Sequence, residues 1–475
     1  MTNPSSLYTT FFRHLIASNY FPSGSRILVG YSGGADSTCL LHMLAEAGFN
    51  MVAAHLHHGQ RFEADDEAHR CAGFAESLGI PFASGRSDVP RLARDRKVGL
   101  EEAGRLARYE FFRLTALQTG CTHIATAHTR DDHVETILLH LTRGSGLAGL
   151  AGIAAVQENL VRPLLPFARA ETRAYCLENN LWFHDDPANS DIDFARARIR
   201  HRVVPELRTL NPRFDEAVTR LADLARADNG YLDAVAAAGL EACEKPLNGR
   251  LRPLTADLEV ALDPRAFAQL PEALFGRGLR LATGFLGSAL DSEQVGLVAE
   301  GLRAGTSGSI TAEGGEVVVE WTPDRIHLRR LTEEPGFREP LLVPGTTTDD
   351  LAGWSLVVQP WPPIDHEQVR GELTAVVGAD ALANALYVRP AGEGDRIQPL
   401  GMDGTKLISD VLQEMGLSLA ARRRLPLVCD LIGPIWVPGG PLAARAAIRT
   451  TTTRAWRMDL RFESESGSES PQPVQ

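Results

Sequence analysis

Three short stretches of this chain place charged and hydroxyl side chains at spacings that suit chemistry. The first is Ser32-Gly33-Gly34-Ala35-Asp36-Ser37. The apolar run Arg26-Ile27-Leu28-Val29-Gly30-Tyr31 before it reads as a buried parallel strand, and the apolar spacing of residues 38–45 after it reads as a helix. A strand, a Gly-Gly turn and a helix start make an anion cradle: glycines let backbone N–H groups point inward, and the helix start adds partial positive charge. Phosphate is the expected guest. No Lys-Ser or Lys-Thr follows the glycines, so this is not a Walker-type loop.

The second stretch is Ala127-His128-Thr129-Arg130-Asp131-Asp132-His133-Val134-Glu135-Thr136. On a helix starting at Asp131, Asp132 and Glu135 are three apart and share a face. Two carboxylates there suit an ammonium group or magnesium. Asp131 and Asp132 also suit simple capping of the helix start, and both roles can hold together. His128, between a strand and this turn, suits contact with the phosphate compound, proton transfer or a structural role. The third stretch holds Arg105 and Arg108, three apart on one helix with Glu101 a turn earlier. They suit either a surface ion pair or stabilisation of charge building on a phosphate. Arg143, in a Gly-rich loop, is a similar candidate.

These stretches need a scaffold that brings them together. Strand and helix signals alternate: a strand at 51–56, a helix at 65–79, a helix at 100–120, a strand at 123–128 and a helix at 131–142. That rhythm predicts an α/β fold with a doubly wound parallel sheet, in which ligands sit beyond the carboxyl ends of the strands. The Ser32 loop and the His128 turn both lie at such ends. Beyond them, residues 211–251 and 262–304 read as helical, and 309–331 as a hairpin. The predicted organisation is a phosphate-binding catalytic domain at 1–215 and a mainly helical middle domain with a terminal hairpin at 216–335. A linker or irregular border follows at 336–384, where Pro and Gly are frequent, then a small α+β C-terminal domain at 385–462 and a disordered tail at 463–475 rich in Ser, Glu and Pro.

The 475 residues and 44% hydrophobic content fit a globular protein of several domains. No apolar run approaches a membrane span and no secretory leader is evident, so a cytoplasmic location without membrane partners is expected. The six cysteines are scattered with no C-x-x-C pair, which argues against a disulfide framework, a zinc site or an iron–sulfur cluster. The net charge of −12 excludes a uniformly basic nucleic-acid binder. Positive charge is nevertheless concentrated: residues 196–208 hold five arginines and one acid, and 441–457 hold four arginines and none. Local basic patches on an acidic body suit a grip on folded RNA at chosen points, or a solvated helix face.

The hexapeptide at Ser32 resembles the signature of the PP-loop ATP pyrophosphatases. With His55-Leu56-His57-His58-Gly59, Glu101-Glu102-Ala103-Gly104-Arg105-Leu106-Ala107-Arg108-Tyr109, the His128 segment, Arg143-Gly144-Ser145-Gly146, Arg162-Pro163-Leu164-Leu165 and Asp186-Pro187-Ala188-Asn189, the chain resembles the tRNA(Ile)-lysidine synthase family. Gly394-Asp395-Arg396, Lys406 and Ile435-Trp436-Val437-Pro438-Gly439 extend the resemblance into the C-terminal domain. Ala188 and Ala197 depart from the family's usual Ser and Asn; the second removes one polar contact and leaves the arginines.

The resemblance implies a two-step ligase. ATP adenylates the carbon-2 oxygen of the wobble cytidine in an isoleucine tRNA with anticodon CAU, and the ε-amine of free L-lysine then displaces AMP. It implies ATP binding by Ser32, Gly33, Gly34, Ala35, Asp36, Ser37 and His128, with Asp36 as a magnesium ligand. Asp36, Arg105, Arg108, Asp132 and Arg143 are the catalytic candidates. Asp132 and Glu135 would hold lysine or magnesium. Arg196, Arg198, Arg200 and Lys406, one of three lysines in the chain, would contact tRNA, with the C-terminal domain on the acceptor arm. A tRNA cytidine thiolase is the rival within the superfamily, though that chemistry usually needs paired cysteines. A tRNA-binding protein without catalysis is the rival outside it. The oligomeric state stays open, a homodimer included.

Overall fold

A computed structural model of the protein describes residues 4–57, 64–184, 195–332, 336–362, 370–371, 373–383 and 385–462. The expectations for His58, Gly59, residues 186–189 and the 463–475 tail lie outside them. Contacts divide the chain into two compact units, Met1–Tyr231 and Leu232–Gln475.

The first unit begins with α1 (Pro4–Ser18), β1 (Arg26–Gly30), α2 (Ala35–Glu46), β2 (Asn50–His57), α3 (Ala64–Ser77) and β3 (Phe82–Arg86). It continues with α4 (Val89–Arg96), α5 (Leu100–Thr119), β4 (His123–Ala125), α6 (Arg130–Thr142), the one-turn α7 (Leu147–Leu150), β5 (Val156–Gln157), β6 (Leu160–Val161) and α8 (Arg169–Glu178). The sheet order is β3-β2-β1-β4-β6-β5, parallel except for β5 against β6. Alternate residues of the central strands face opposite cores. Ile27, Val29, Met51 and Ala53 pack with Phe11, Leu40, Leu44 and Tyr175, while Leu28, Val52, Ala54 and Ile124 pack with Phe112 and Ala116 of α5. Burial on both faces is why the β1 run is apolar without alternation. Gly30 is obligatory for this packing, since a Cβ there would lie 2.7 Å from the Phe112 ring.

β1 and β4 are neighbours, with Val29 opposite Ala125. Their carboxyl ends therefore place the Ser32 loop and the His128 turn side by side. A further segment packs on α6 beside the His128 turn: α9 (Ala195–Arg198), a π-helical turn at Ile199–Val203 and α10 (Val204–Leu210). Ile199 and Val204 anchor it on Val134 and Ile137 of α6. The long α11 (Phe214–Cys243) follows.

In the second unit, β7 (Glu259–Leu262) precedes α12 (Pro264–Ala268), α13 (Glu272–Phe285), α14 (Ser292–Ala304), β8 (Gly308–Thr311), β9 (Val317–Trp321) and β10 (Ile326–Arg330). The strands form an antiparallel sheet in the order β7-β10-β9-β8. The expected hairpin is thus part of a four-stranded sheet, and β7 occupies a stretch bordering residues read as helical. Four residues are too few for periodicity to register as a strand.

The remaining elements are β11 (Glu339–Pro340), β12 (Gly345–Asp349), β13 (Trp354–Trp361), β14 (Arg370–Gly371), β15 (Thr374–Gly378), β16 (Tyr387–Arg389), β17 (Arg396–Ile397), β18 (Lys406–Leu407), α15 (Ile408–Glu414), α16 (Leu419–Arg424), β19 (Leu427–Cys429), β20 (Pro434–Trp436) and β21 (Ala455–Phe462). Here the structure corrects the reading of residues 336–384 as a linker or border. β12, β13 and β15 lie inside that stretch and build a five-stranded sheet on β21, Trp354 pairing with Phe462 and Trp361 with Ala455. Of the described prolines in that stretch, Pro340 lies in the edge strand β11, Pro344 directly precedes β12 and Pro360 is next to the last residue of β13, positions where a missing N–H is tolerated.

Three elements of the second unit are joined by a buried polar group. Glu259 of β7 accepts hydrogen bonds from Asn248 Nδ2 at 3.0 Å, Ser418 Oγ at 2.5 Å and His327 Nε2 of β10 at 3.0 Å. Asn248 Oδ1 in turn accepts from Ser418 N, the cap of α16, at 2.8 Å. Burial alone would raise the Glu259 pKa, but these donors outweigh it and bring the carboxyl down to about 2.

Candidate active site

The Ser32 loop is held open by hydroxyls and by one glycine conformation. Gly33 has φ +80°, and a Cβ there would meet Cys71 Sγ at 2.9 Å. Ser37 Oγ donates to Gly34 O at 3.0 Å and accepts from Ser32 N at 3.2 Å. Gly34 caps α2 without a side-chain hydrogen bond, so the helix start faces the loop with its N–H groups available to an anion.

Asp36 lies in the first turn of α2. Its Oδ1 accepts a hydrogen bond from Thr172 Oγ1, and its Oδ2 is 3.5 Å from Arg169 Nε. Burial raises its pKa, and Thr172 and Arg169 only partly oppose the rise, leaving the carboxyl at about 6.

α6 supplies the acidic pair. Asp132 closes a capping box, its Oδ2 accepting from Thr129 N at 2.9 Å and Thr129 Oγ1 at 2.8 Å. Its Oδ1 accepts from Arg169 Nη2 at 2.7 Å. Burial would raise its pKa, but Arg169, His128, Arg196 and the Thr129 N–H pull it down to about 2. Glu135 is met by Arg169 Nη1 at 3.1 Å, Arg196 Nε at 3.1 Å, and Arg200 Nε and Nη2 at 2.7 and 2.9 Å. The capping and converging roles of the pair thus coexist. Asp131 is turned elsewhere: it accepts from Arg169 N at 2.8 Å, capping α8, and from Arg208 Nη2 at 2.9 Å.

The arginines divide by face. Arg196 and Arg200, expected on the tRNA backbone, point into the cluster, whereas Arg198 and Arg202 are exposed and Ala197 is buried. A helical segment sends residues four apart to one side, so the split follows from spacing. Arg108 is exposed on α5 like Arg105, but partial desolvation by its surroundings and the nearby Arg196 guanidinium lower its pKa. Arg105 lies on the surface with Glu102 at 2.9 Å, and Arg143 is exposed. His128 Nδ1 is 3.0 Å from Thr126 Oγ1, and burial pushes its pKa down to about 4, so the imidazole is neutral near pH 7. In the second unit, Lys406 pairs with Glu414. Arg169 is the cluster residue not singled out from the sequence. Its signal was weak: an arginine opening a short helix after Pro166 and Phe167.

The arrangement can bind a polyphosphate at the α2 start beside a carboxylate pair that attracts cations. Among the described residues no three His, Cys, Asp or Glu side chains converge to hold a metal. Asp36 fits magnesium as a single carboxylate beside a phosphate cradle, because that ion takes one or two carboxylates with phosphate oxygens and water.

A phosphate loop at a strand–helix junction of a parallel sheet, without a Walker lysine, fits the PP-loop class of nucleotide-binding domains. The family description "PP-loop domain" matches residues 7–207, and "TilS substrate C-terminal domain" matches 386–460. A tRNA(Ile)-lysidine synthase of Dehalococcoides mccartyi is 30% identical over 473 residues, covering 93% of this chain and 96% of that one. One of Solibacter usitatus is 33% identical over 452 residues, covering 90% and 96%. A solved TilS C-terminal domain is 25% identical with a TM-score of 0.24, covering 27% of this chain and 98% of that one. The chain belongs to the tRNA(Ile)-lysidine synthase family.

Proposed function

We propose that this protein ligates free L-lysine to carbon 2 of the wobble cytidine of an isoleucine tRNA with anticodon CAU, in the cytoplasm. In the first step the cytidine O2 forms a bond to the α-phosphorus of ATP and pyrophosphate leaves. In the second, the lysine ε-nitrogen bonds to carbon 2, the C2–O2 bond breaks and AMP leaves. The adenylate is needed because a ring carbonyl oxygen is otherwise a poor leaving group.

The observation that carries the reading is the adjacency of the Ser32 loop to the Asp132–Glu135 pair across β1 and β4. A polyphosphate anion and an ammonium group can thereby approach one reaction centre. In this reading Ser32, Gly33, Gly34, Ala35 and Ser37 cradle the departing pyrophosphate, and Asp36 holds magnesium, which neutralises phosphate charge when bound. Arg108 stabilises charge on the α-phosphate. Arg105 and Arg143, on the surface, meet the incoming RNA. Asp132 and Glu135 hold the lysine ammonium. His128, neutral near pH 7, lines the ATP site. Arg198 is the exposed member of its helix for tRNA contact, and Lys406 is a contact in the C-terminal unit.

The test is incorporation of labelled lysine into an unmodified CAU isoleucine tRNA transcript, with and without ATP. ATP-dependent incorporation that vanishes in Asp36→Ala supports the reading. AMP and pyrophosphate release with a different amine or tRNA, and none with lysine, would overturn the substrate assignment.

A further inference from the structure

Three carboxylates and three guanidinium groups meet in one place: Asp36, Asp132 and Glu135 with Arg169, Arg196 and Arg200. Their formal charges cancel. Each oxygen of the acidic pair already has a donor: Asp132 Oδ1 has Arg169, Oδ2 has Thr129, Glu135 Oε1 has Arg169 and Arg200, and Oε2 has Arg196 and Arg200. A lysine ammonium arriving here adds a fourth positive charge to a partly desolvated site and competes for occupied oxygens. Both costs fall if one guanidinium leaves.

Arg169 is placed to leave. It spans the cluster, with Nη1 and Nη2 on the acidic pair and Nε on Asp36, the acid of the phosphate loop. The Asp36 contact, at 3.5 Å, is the longest of the three. Its backbone is pinned, because Asp131 caps its N–H and Glu171 accepts from Ala168 N at 2.7 Å. Its side chain, 28% exposed, can pivot from that fixed point. A polyphosphate in the neighbouring loop offers the guanidinium a strong bidentate anion.

We infer that Arg169 is a positioning residue that couples the two substrates: nucleotide phosphate draws its guanidinium off Asp132 and Glu135, and the pair then accepts the lysine ammonium. Without nucleotide the lysine site is closed by the protein's own cation. Such coupling is reciprocal, so lysine tightens nucleotide binding by the same factor. The inference rests on the assignment of lysine to Asp132 and Glu135.

The experiment is calorimetric titration of the full chain with L-lysine, alone and saturated with the β,γ-imido analogue of ATP and magnesium. The analogue should lower the lysine Kd about tenfold or more, with the reciprocal effect on the analogue of equal size. In Arg169→Met, lysine should bind without nucleotide and the coupling factor should shrink to about twofold or less, while Arg169→Lys keeps part of it. A loss of stability alone does not change that ratio. Equal lysine Kd values with and without analogue in the unmodified protein overturn the coupling, and this result needs no variant. Asp132→Asn separates the two ideas: if it weakens lysine binding, the site assignment stands whatever the coupling. If lysine binding in the presence of the analogue is unchanged in Asp132→Asn, the assignment falls and the inference with it.

Discussion

Glu135 and Glu259 are both almost fully buried carboxylates, with side-chain exposures of 3% and 2%, yet their surroundings are built in opposite ways. Glu259 takes its hydrogen bonds from an amide, a hydroxyl and an imidazole on separate elements of the second unit. Asn248 and Ser418 also accept from the backbone N–H groups of Ser418 and Ala421, and His327 sits in β10, so the group acts as a fixed staple. Glu135 is surrounded instead by guanidinium groups on long side chains, shared with Asp132 and Asp36. Short donors fixed on separate elements hold one geometry, whereas guanidinium groups on long side chains at the edge of a phosphate loop can be redistributed when a charged ligand arrives. A buried carboxylate is therefore not by itself a functional sign; the mobility and charge of its partners separate the two cases.

The sharpest way to break this contrast is a pair of isosteric changes. Glu135→Gln should reduce lysine incorporation by about 10²–10³-fold, the scale of a lost charge interaction at a reacting centre. Glu259→Gln should leave incorporation within about twofold at temperatures well below its Tm. Equal losses of activity in the two variants would erase the distinction.

Stability should respond the other way round. Glu259→Ala leaves Asn248, His327 and Ser418 without their shared acceptor, at a cost of about 3 kcal/mol, or roughly 6–12 °C in the Tm of a unit this size. Thermal melting followed by circular dichroism measures it, and a shift within error would show that Glu259 is no staple.

The two units should also answer pH with opposite signs. The Glu259 pKa is about 2 in the folded protein against an ordinary 4.5, so its contribution is present above pH 4.5 and is lost as pH falls toward 2. Asp36, at about 6 against 3.8, does the reverse: its folded state keeps the proton longer, so its contribution to stability falls as pH rises from about 4 to 6. The same ionisation readies Asp36 for magnesium, so the KM for ATP should fall as pH rises through about 6. Tm measured from pH 3 to 8 in Glu259→Gln and Asp36→Asn tests both: the first should flatten the acid limb, and the second should remove the decline between pH 4 and 6.

The smallest effect belongs to Arg105. Its side chain is 58% exposed and pairs with Glu102, so Arg105→Ala should change stability by less than about 0.5 kcal/mol. If it meets RNA phosphate, the logarithmic salt slope of tRNA binding should drop by about 1 in a filter-binding series. An unchanged slope would leave Arg105 a surface ion pair.

Much of the candidate site is legible in the chain because it is built from local devices. The Ser32 hexapeptide works through backbone conformation, and Gly33 at φ +80° is the kind of position such a turn requires. The spacing of Asp132 and Glu135 puts them on one helical face whatever surrounds them. Arg169 is different: nothing near it indicates a partner, and the carboxylate of Asp36 lies 133 residues earlier. Arg196 and Arg200 were expected on tRNA with Arg198; their spacing puts them on one helical face, but only the tertiary structure turns that face onto Glu135. Residues 336–384 escaped for a related reason, because strands whose partner is β21 carry their pairing information far away in the chain.

The amino-acid sequence by itself determined the turn conformations, the helix faces and the alternation of strands and helices, because near neighbours along the backbone control all of these. Only the tertiary structure decided which guanidinium balances which carboxylate. Interactions between charges in a partly desolvated cluster depend on separations of a few ångströms, and those separations are set by the register of β1 against β4, by the packing of α8 on the core beside β1 and by that of the 195–210 segment on α6.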